Sequence, residues 1–234
     1  MSDLAQHNGT PAAPGAPTGA APRRSETLTG TLDVDFPQFR TPPAEPMQLL
    51  AAWLQTATEQ GVREPRALAL ATADPRGRPS SRIVAVNQIT AAGLLFITHT
   101  GSQKGRELAA NPYASGVLYW RETSQQITLA GPVEQLTRAE SQALWAARAI
   151  FTHPMSSVAA QSEPLRDLAH VEELRTRAAE LAALKRPLPC PQAFVGYRLR
   201  PDSVEFWANG TDRLHERLRY DRTPTGWQPT RLQP

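Results

Sequence analysis

The chain is poor in the residues that build several common kinds of site. Its 234 residues include one cysteine, Cys190, so an internal disulfide and a multi-cysteine metal site are both excluded. This cysteine usage fits a cytoplasmic protein, which we expect here. The five histidines lack ligand spacing relative to one another and to carboxylates, so we predict no metal site.

Long apolar runs and several familiar motifs are also missing. No apolar stretch approaches the roughly 20 residues that span a bilayer, and no charged-then-apolar leader opens the chain. There is no glycine-rich dinucleotide fingerprint, no phosphate loop of the nucleotide hydrolases and no nucleophile elbow around a serine. We therefore expect no membrane partner and none of these three chemistries.

Lysine is scarce, and arginine supplies most of the positive charge. Lys104 and Lys185 are the two lysines among 25 basic residues, and the net charge is +3. A net positive charge makes nucleic acid a candidate partner. The arginines are scattered among acidic residues, however, and no basic block with interleaved aromatic residues occurs. A surface of mixed charge is the better interpretation, and we predict no nucleic-acid partner.

The composition divides the chain into a tail and one domain. Residues 1–26 are small and polar without apolar periodicity, and we predict a disordered or extended tail over 1–45, in which Phe36 and Phe39 could dock on the body. A helix is predicted over 46–60, opened by Pro46 and closed by Gly61. Residues 46–234 are predicted to form one domain.

Short apolar segments after residue 66 predict a β-rich body. We expect strands at 67–73, in a hairpin within 81–97, and at 114–120, 125–136, 193–199, 203–207 and 227–232, with a bulge or edge at 131–132. Helices are expected at 137–150 and 165–184, separated by a polar loop over 153–162. Antiparallel neighbours interrupted by helices predict a mostly β, α+β fold with a closed or partly open barrel.

The segment 81–108 contains the clearest candidate site. Its second strand leads into a short helix for which Ser102 is a suitable N-cap. A helix N-terminus favours an anion, Thr98 and Ser102 offer hydroxyl groups, and Arg82 and Lys104 offer positive charge. An ordinary strand-to-helix corner with a capping serine has the same local pattern, so these residues alone do not decide between the two.

The C-terminal segment favours the first interpretation. Residues 203–220 read SVEFWANGTDRLHERLRY, which resembles the C-terminal signature of the pyridoxine 5′-phosphate oxidase family. Other family motifs occur in the same order at 82–84, 98–104, 125–126 and 161–162. The resemblance covers about 46–234 and implies a split β-barrel that binds FMN at the interface of a homodimer.

Carried over position by position, the resemblance implies three sets of site residues. The cofactor set is Arg82, Ile83, Val84, Ile97, Thr98, Ser102, Gln103, Lys104, Gln126, Gln161, Ser162, Trp207 and Arg217. The substrate set is Arg148, Thr152, Arg213 and His215, and the last two are also the catalytic candidates. Simpler roles stay open: Trp207 as a core residue at a strand end, Gln126 as a polar residue on a strand face, and His215 as a structural histidine.

The departures from the family pattern concern the substrate. Asn87 stands where the family usually has a lysine, Leu144 where it has a tyrosine, and Thr152 where it has a serine. Loss of a cation and a phenol weakens recognition of a substrate phosphate. Residues 25–33, 64–74, 119–126 and 152–157 resemble instead a subgroup of FMN-dependent oxidases of bacterial phenazine biosynthesis.

That subgroup resemblance implies a specific reaction. It is the oxidation of a dihydro-, tetrahydro- or hexahydrophenazine carboxylic acid towards phenazine-1-carboxylate or phenazine-1,6-dicarboxylate, with O2 as electron acceptor. Two alternatives remain at this point: a pyridoxine or pyridoxamine 5′-phosphate oxidase, and a non-enzymatic module that binds flavin or nucleic acid.

Overall fold

The structure is a computed structural model, and it describes residue 32 and residues 34–210 and 214–234. Most of the predicted tail, nearly all of the motif at 25–33, and Arg213 lie outside the described residues. Within the described part of the chain, no helix is long and apolar enough to cross a membrane.

Ten strands form the body of the described chain. They are β1 (Ala67–Ala73), β2 (Pro79–Ala85), β3 (Gln88–Thr90), β4 (Gly93–His99), β5 (Tyr113–Trp120), β6 (Gln125–Gln135), β7 (Phe194–Leu199), β8 (Ser203–Ala208), β9 (Glu216–Thr223) and β10 (Gly226–Leu232). The α-helices are α1 (Pro46–Glu59), α2 (Gln103–Ala110), α3 (Arg138–Ala146), α4 (His153–Val158) and α5 (Leu168–Ala183), and 3-10 turns occur at Pro37–Phe39 and Ile150–Thr152.

All strand pairs are antiparallel, and β6 belongs to both halves of the barrel. The strand order is β10-β9-β8-β6-β5-β1-β2, while β7 pairs with the end of β6 and with β4, and β4 pairs with β3. The change of partner falls at the predicted irregularity: Ala130 lies opposite Ser203 of β8, and Val133 lies opposite Leu199 of β7. This arrangement confirms the predicted split barrel of α+β type.

One aromatic cluster holds α1 against the barrel. The ring of Trp53 lies 5.2 Å from that of Phe206 and 6.4 Å from that of Trp120, measured between centroids, and all three side chains are buried. Phe36 packs edge-on against Trp53 at 4.7 Å and Phe39 packs against the same core, so both dock as anticipated. The domain boundary at residue 46 stays a prediction.

Two elements differ from those predicted between 137 and 162. The helix predicted over 137–150 ends at Ala146, and the predicted polar loop contains α4. Pro154 stands in the first turn of α4, where a missing N–H costs nothing. His153 and Pro154 are buried, and the ring of His153 lies 4.2 Å from that of Trp145 of α3. Tertiary packing therefore makes a helix from a segment that has no clear helical periodicity.

The sequence patterns did not predict strand β9. Its residues are mostly charged, but Leu218 and Tyr220 alternate with them and are fully buried, while Arg217 and Arg219 lie on the other face. The alternation is that of a half-buried strand, and the high charge concealed it.

Candidate functional site

The first candidate site lies at the N-terminus of α2, directly after β4. Ser102 caps the helix: its hydroxyl accepts a hydrogen bond from the backbone N–H of Gly105, and its side chain is completely buried. Gly105 is required here because an added Cβ would lie 2.4 Å from the carbonyl oxygen of Thr100. This close turn directs the positive dipole end of α2 into the site.

Besides Ser102, five of the predicted cofactor residues meet around this helix end. The ammonium group of Lys104 donates to the hydroxyl of Thr98 at 3.0 Å, and Thr98 donates to the amide oxygen of Gln161 at 3.1 Å. The backbone N–H of Gln103 donates to the hydroxyl of Ser162 at 3.0 Å. The segment 161–162, some 60 residues away in sequence, is thus fastened to the helix N-terminus.

Arg82 reaches the same region from β2. Its side chain lies on the barrel side of the strand, where it donates to the hydroxyls of Thr72 and Ser80 and to Glu107 of α2 at 3.2 Å. Lys104 and Arg82 are thus two cations in one partly buried pocket, with Glu107 as the acidic partner of Arg82.

The electrostatics of this pocket reflect that grouping. Burial lowers the pKa of Lys104, the nearby Arg82 lowers it further, and Glu107 opposes both effects. Burial alone would raise the pKa of Glu107, but hydrogen bonds from Thr72, Ser80, Gln103 and Arg82 together bring it down to about 2. The pocket has a net positive charge, which suits a phosphate.

A second cluster lies on β6, β8 and β9. Gln126 is opposite Trp207, and Trp207 is opposite Arg217, so the three residues form one row across the sheet. His215 packs its ring 4.8 Å from that of Trp207, and its Nδ1 is buried without a hydrogen-bond partner among the described residues. Arg217 pairs with Glu205 at 2.7 Å, and this hydrogen bond raises the pKa of Arg217. The row offers an aromatic surface, an amide and a cation.

A third cluster surrounds Arg148. The guanidinium lies over the rings of Trp145 and Phe194 and donates to the hydroxyl of Ser156 at 3.2 Å. Burial lowers the pKa of Arg148. The hydroxyl of Thr152 is used within its own turn, where it donates to the carbonyl oxygen of Ala149 at 2.7 Å. Of the two predicted substrate residues here, Arg148 has donors left for a ligand.

His99 connects the first cluster to the third. Burial lowers the pKa of its imidazole, and the positive charges of Arg148 and Lys104 lower it further. The ring of His99 lies 6.5 Å from that of Phe194, over which Arg148 is stacked, so the anion pocket at α2 and the arginine of the substrate set are neighbours. In the sequence, one signal marks His99 beyond metal ligation, namely its position one residue after Thr98 at the end of the predicted strand.

Some predicted site residues lie apart from these clusters. Ile83 is on the outer face of β2 and is 65% exposed, whereas Val84 and Ile97 pack against the apolar core clusters. Among the described residues, no hydrogen bond, ion pair or ring contact joins the row of Gln126, Trp207 and Arg217 to the pocket at α2.

Glu107 was not found in the sequence as a functional residue. It lies one helical turn after Gln103 on the same face of α2, and Gln103 donates to it at 2.9 Å. That spacing alone is common in ordinary helices. Its partners Thr72 and Ser80 come from β1 and β2, so only the fold identifies it.

The fold and these clusters define an α+β split barrel with a positively charged site at the N-terminus of α2. Residues 54–182 match the family described as pyridoxamine 5′-phosphate oxidase, and residues 194–234 match the C-terminal dimerisation region of pyridoxine 5′-phosphate oxidase. The chain therefore belongs to the pyridoxamine 5′-phosphate oxidase family, a family of enzymes, and the resemblance seen in the sequence is confirmed.

The chain is also similar to individual proteins of this family. The dihydrophenazinedicarboxylate synthase of Pseudomonas chlororaphis is 57% identical over 210 residues, which cover 90% of this chain and 93% of the relative. The crystal structure of PhzG from Burkholderia lata 383 in complex with tetrahydrophenazine-1-carboxylic acid is 52% identical, with a TM-score of 0.84 over 88% of this chain and 100% of that one. The pyridoxine/pyridoxamine 5′-phosphate oxidase of Gluconobacter oxydans is 38% identical over 82% of this chain and 95% of the relative.

Proposed function

We propose that this protein is an FMN-dependent oxidase that dehydrogenates a reduced phenazine carboxylic acid, with O2 as the electron acceptor. The observation that carries the proposal is the 52% identity, over 88% of the chain, to an enzyme whose structure contains tetrahydrophenazine-1-carboxylic acid. The relative named as a pyridoxine/pyridoxamine 5′-phosphate oxidase is less similar, at 38% identity. Its reaction is the alternative, against which Asn87 and Leu144 count.

The residues of the pocket at α2 fit the phosphate of FMN. Lys104 and Arg82 supply two cations, α2 supplies its positive dipole end, and Thr98 and Ser102 supply hydroxyls that already bind Lys104. Gln161 and Ser162 are held beside this pocket by Thr98 and Gln103. We assign these residues to the phosphate and ribityl chain.

The row on β6, β8 and β9 fits the flavin ring. Trp207 offers an aromatic face, Gln126 an amide for the ring's polar edge and Arg217 a cation. Since this row does not contact the α2 pocket of its own chain, we propose that two subunits complete the cofactor site between them. A C-terminal match to a dimerisation region supports this arrangement.

Substrate positioning falls to the cationic side chains. Arg148 would pair with a substrate carboxylate while the rings of Trp145 and Phe194 hold its guanidinium in place. Arg213 and His215 are proposed to contact the substrate as well, and His215, which packs on Trp207, would do so from the subunit that contributes the row on the sheet. When bound, FMN supplies the acceptor for the two electrons removed from the ring, and O2 is reduced to hydrogen peroxide.

The cofactor assignment is tested by the visible absorption spectrum of the purified protein and chromatography of what heating releases. FMN is the expected product. Turnover of a reduced phenazine carboxylate and of pyridoxine 5′-phosphate is then compared on one preparation. Faster turnover of the phosphate substrate would replace the proposed function with the alternative, and a protein that takes up no flavin would contradict both.

The shared site is tested by mixing two variants. Lys104→Ala damages the α2 pocket and Arg217→Ala damages the row on the sheet. If each site takes one part from each subunit, random co-expression restores about a quarter of the wild-type sites, because half of the dimers are mixed and each has one intact site. Sites contained within one chain give no restoration.

A further inference from the structure

The carboxylate of Glu107 is the meeting point of the residues behind the anion pocket. It is 6% exposed and accepts hydrogen bonds from Thr72, from Ser80 at 2.7 and 2.8 Å, from Gln103 at 2.9 Å and from Arg82 at 3.2 Å. These donors come from β1, β2 and α2. Glu107 therefore ties the two strands to the helix whose N-terminus forms the pocket.

The hydroxyls of Thr72 and Ser80 each touch both charged groups. Thr72 accepts from Arg82 and donates to Glu107, and Ser80 does the same. The guanidinium of Arg82 is consequently held by three partners, and its contacts use the two terminal nitrogens. A free arginine has many rotamers, so this framework removes entropy that phosphate binding would otherwise have to overcome.

Without a bound anion, the two cations of the pocket repel each other and require a negatively charged partner. Lys104 is close to three titratable groups, which are Arg82 on β2, His99 at the end of β4 and Glu107 on its own helix. Glu107 is the one acidic group in that set. It offsets the repulsion between two cations that share a partly buried volume.

We propose that Glu107 is a positioning residue for the phosphate of the flavin cofactor, acting through Arg82 and Gln103. This inference rests on the proposed function, because it presumes that the α2 pocket binds that phosphate. Glu107 does not touch the phosphate itself. Its effect is confined to the phosphate contribution to cofactor affinity.

The test compares FMN with riboflavin, which is the same flavin without the phosphate. Dissociation constants are measured at neutral pH by quenching of free flavin fluorescence, for the wild type and for Glu107→Gln. We expect FMN affinity to fall by about tenfold or more, since hydrogen bonds to a charged group are lost, while riboflavin affinity changes by less than about twofold. A merely structural role would weaken both ligands alike.

A matched control and a milder variant accompany this measurement. Glu140→Gln removes the carboxylate of the capping box of α3, away from the pocket, and should leave the FMN-to-riboflavin ratio unchanged. Ser80→Ala removes one hydroxyl that binds both Arg82 and Glu107, and should give a smaller loss specific to FMN. It keeps the inference testable if Glu107→Gln does not fold.

The outcomes distinguish a failure of the proposed function from a failure of the proposed role of Glu107. A wild-type protein that binds neither flavin overturns the proposed function and this inference together. Wild-type binding that prefers FMN, with the same ratio in Ser80→Ala and in any folded Glu107→Gln, overturns the role of Glu107 alone.

Discussion

The guanidinium carbon of Arg148 lies 5.3 Å from the centroid of the Trp145 ring. Phe194 stands on the same guanidinium at 5.5 Å, and the two rings meet edge to face at 4.9 Å. A planar, weakly hydrated cation is stabilised by aromatic faces, whereas an ammonium group is compact and strongly hydrated. This contact makes Arg148 an oriented anion-binding group.

Arg148→Lys should therefore weaken substrate binding and leave cofactor binding unchanged. The lysine retains the charge but loses the planar fork and the stacking, so we expect KM for the reduced phenazine carboxylate to rise by about tenfold. Flavin content should stay at the wild-type level. Steady-state kinetics check the first and absorbance the second, with Arg166→Lys on the exposed part of the chain before α5 as control. An unchanged KM would remove Arg148 from the substrate site.

Trp207→Leu should weaken flavin binding without unfolding the barrel. Trp207 is only half-buried and faces away from the core residues Phe206 and Ala208, so its loss removes an aromatic contact surface. We expect a flavin dissociation constant about tenfold higher. Trp227→Leu, which removes a tryptophan stacked on Arg222 at the barrel's end, is the control. Equal losses in both variants would point to a general stability effect.

Gly131→Ala should destabilise the fold where β6 changes partner. An added Cβ at this position would lie 2.2 Å from the carbonyl oxygen of Arg200, so the backbone of one segment must move. We expect the free energy of unfolding to fall by about 1–3 kcal/mol. Gly101→Ala, whose added Cβ meets nothing within 4 Å, should be nearly neutral. Urea denaturation of the two variants compares them, and equal stabilities would contradict the close approach.

Acid should remove a contribution that Glu107 makes to stability. The pKa of Glu107 is lowered in the folded protein from an ordinary 4.5 to about 2, so the folded state favours the ionised form. The resulting stabilisation is complete above pH 4.5 and is lost as the pH falls towards 2. The free energy of unfolding of Glu107→Gln should therefore fall less steeply than that of the wild type over this range.

Denaturant unfolding at a series of pH values measures that difference. Glu180→Gln, an exposed position on α5, is the control and should follow the wild-type curve. If Glu107→Gln also followed the wild-type curve between pH 4.5 and 2, the hydrogen-bond network around the carboxylate would not be the source of the lowered pKa.

Local signals in the sequence determined much of the fold. Short apolar segments predicted β1, β5, β6 and β8, and Pro46 with Gly61 marked the ends of α1, because these features depend on neighbouring residues. Strand β9 and helix α4 were not predicted. Their conformations depend on burial of Leu218, Tyr220 and His153 against elements distant in sequence, and local propensity does not contain that information.

The same division applies to the candidate site. The capping Ser102, the single pocket lysine Lys104 and the ordered family motifs were visible in the sequence, since each is a short pattern with its own chemistry. Only the tertiary structure brought Glu107 to Arg82 and placed Trp145 and Phe194 around Arg148. Side chains on separate strands and helices become neighbours through sheet register and packing, which no local pattern specifies.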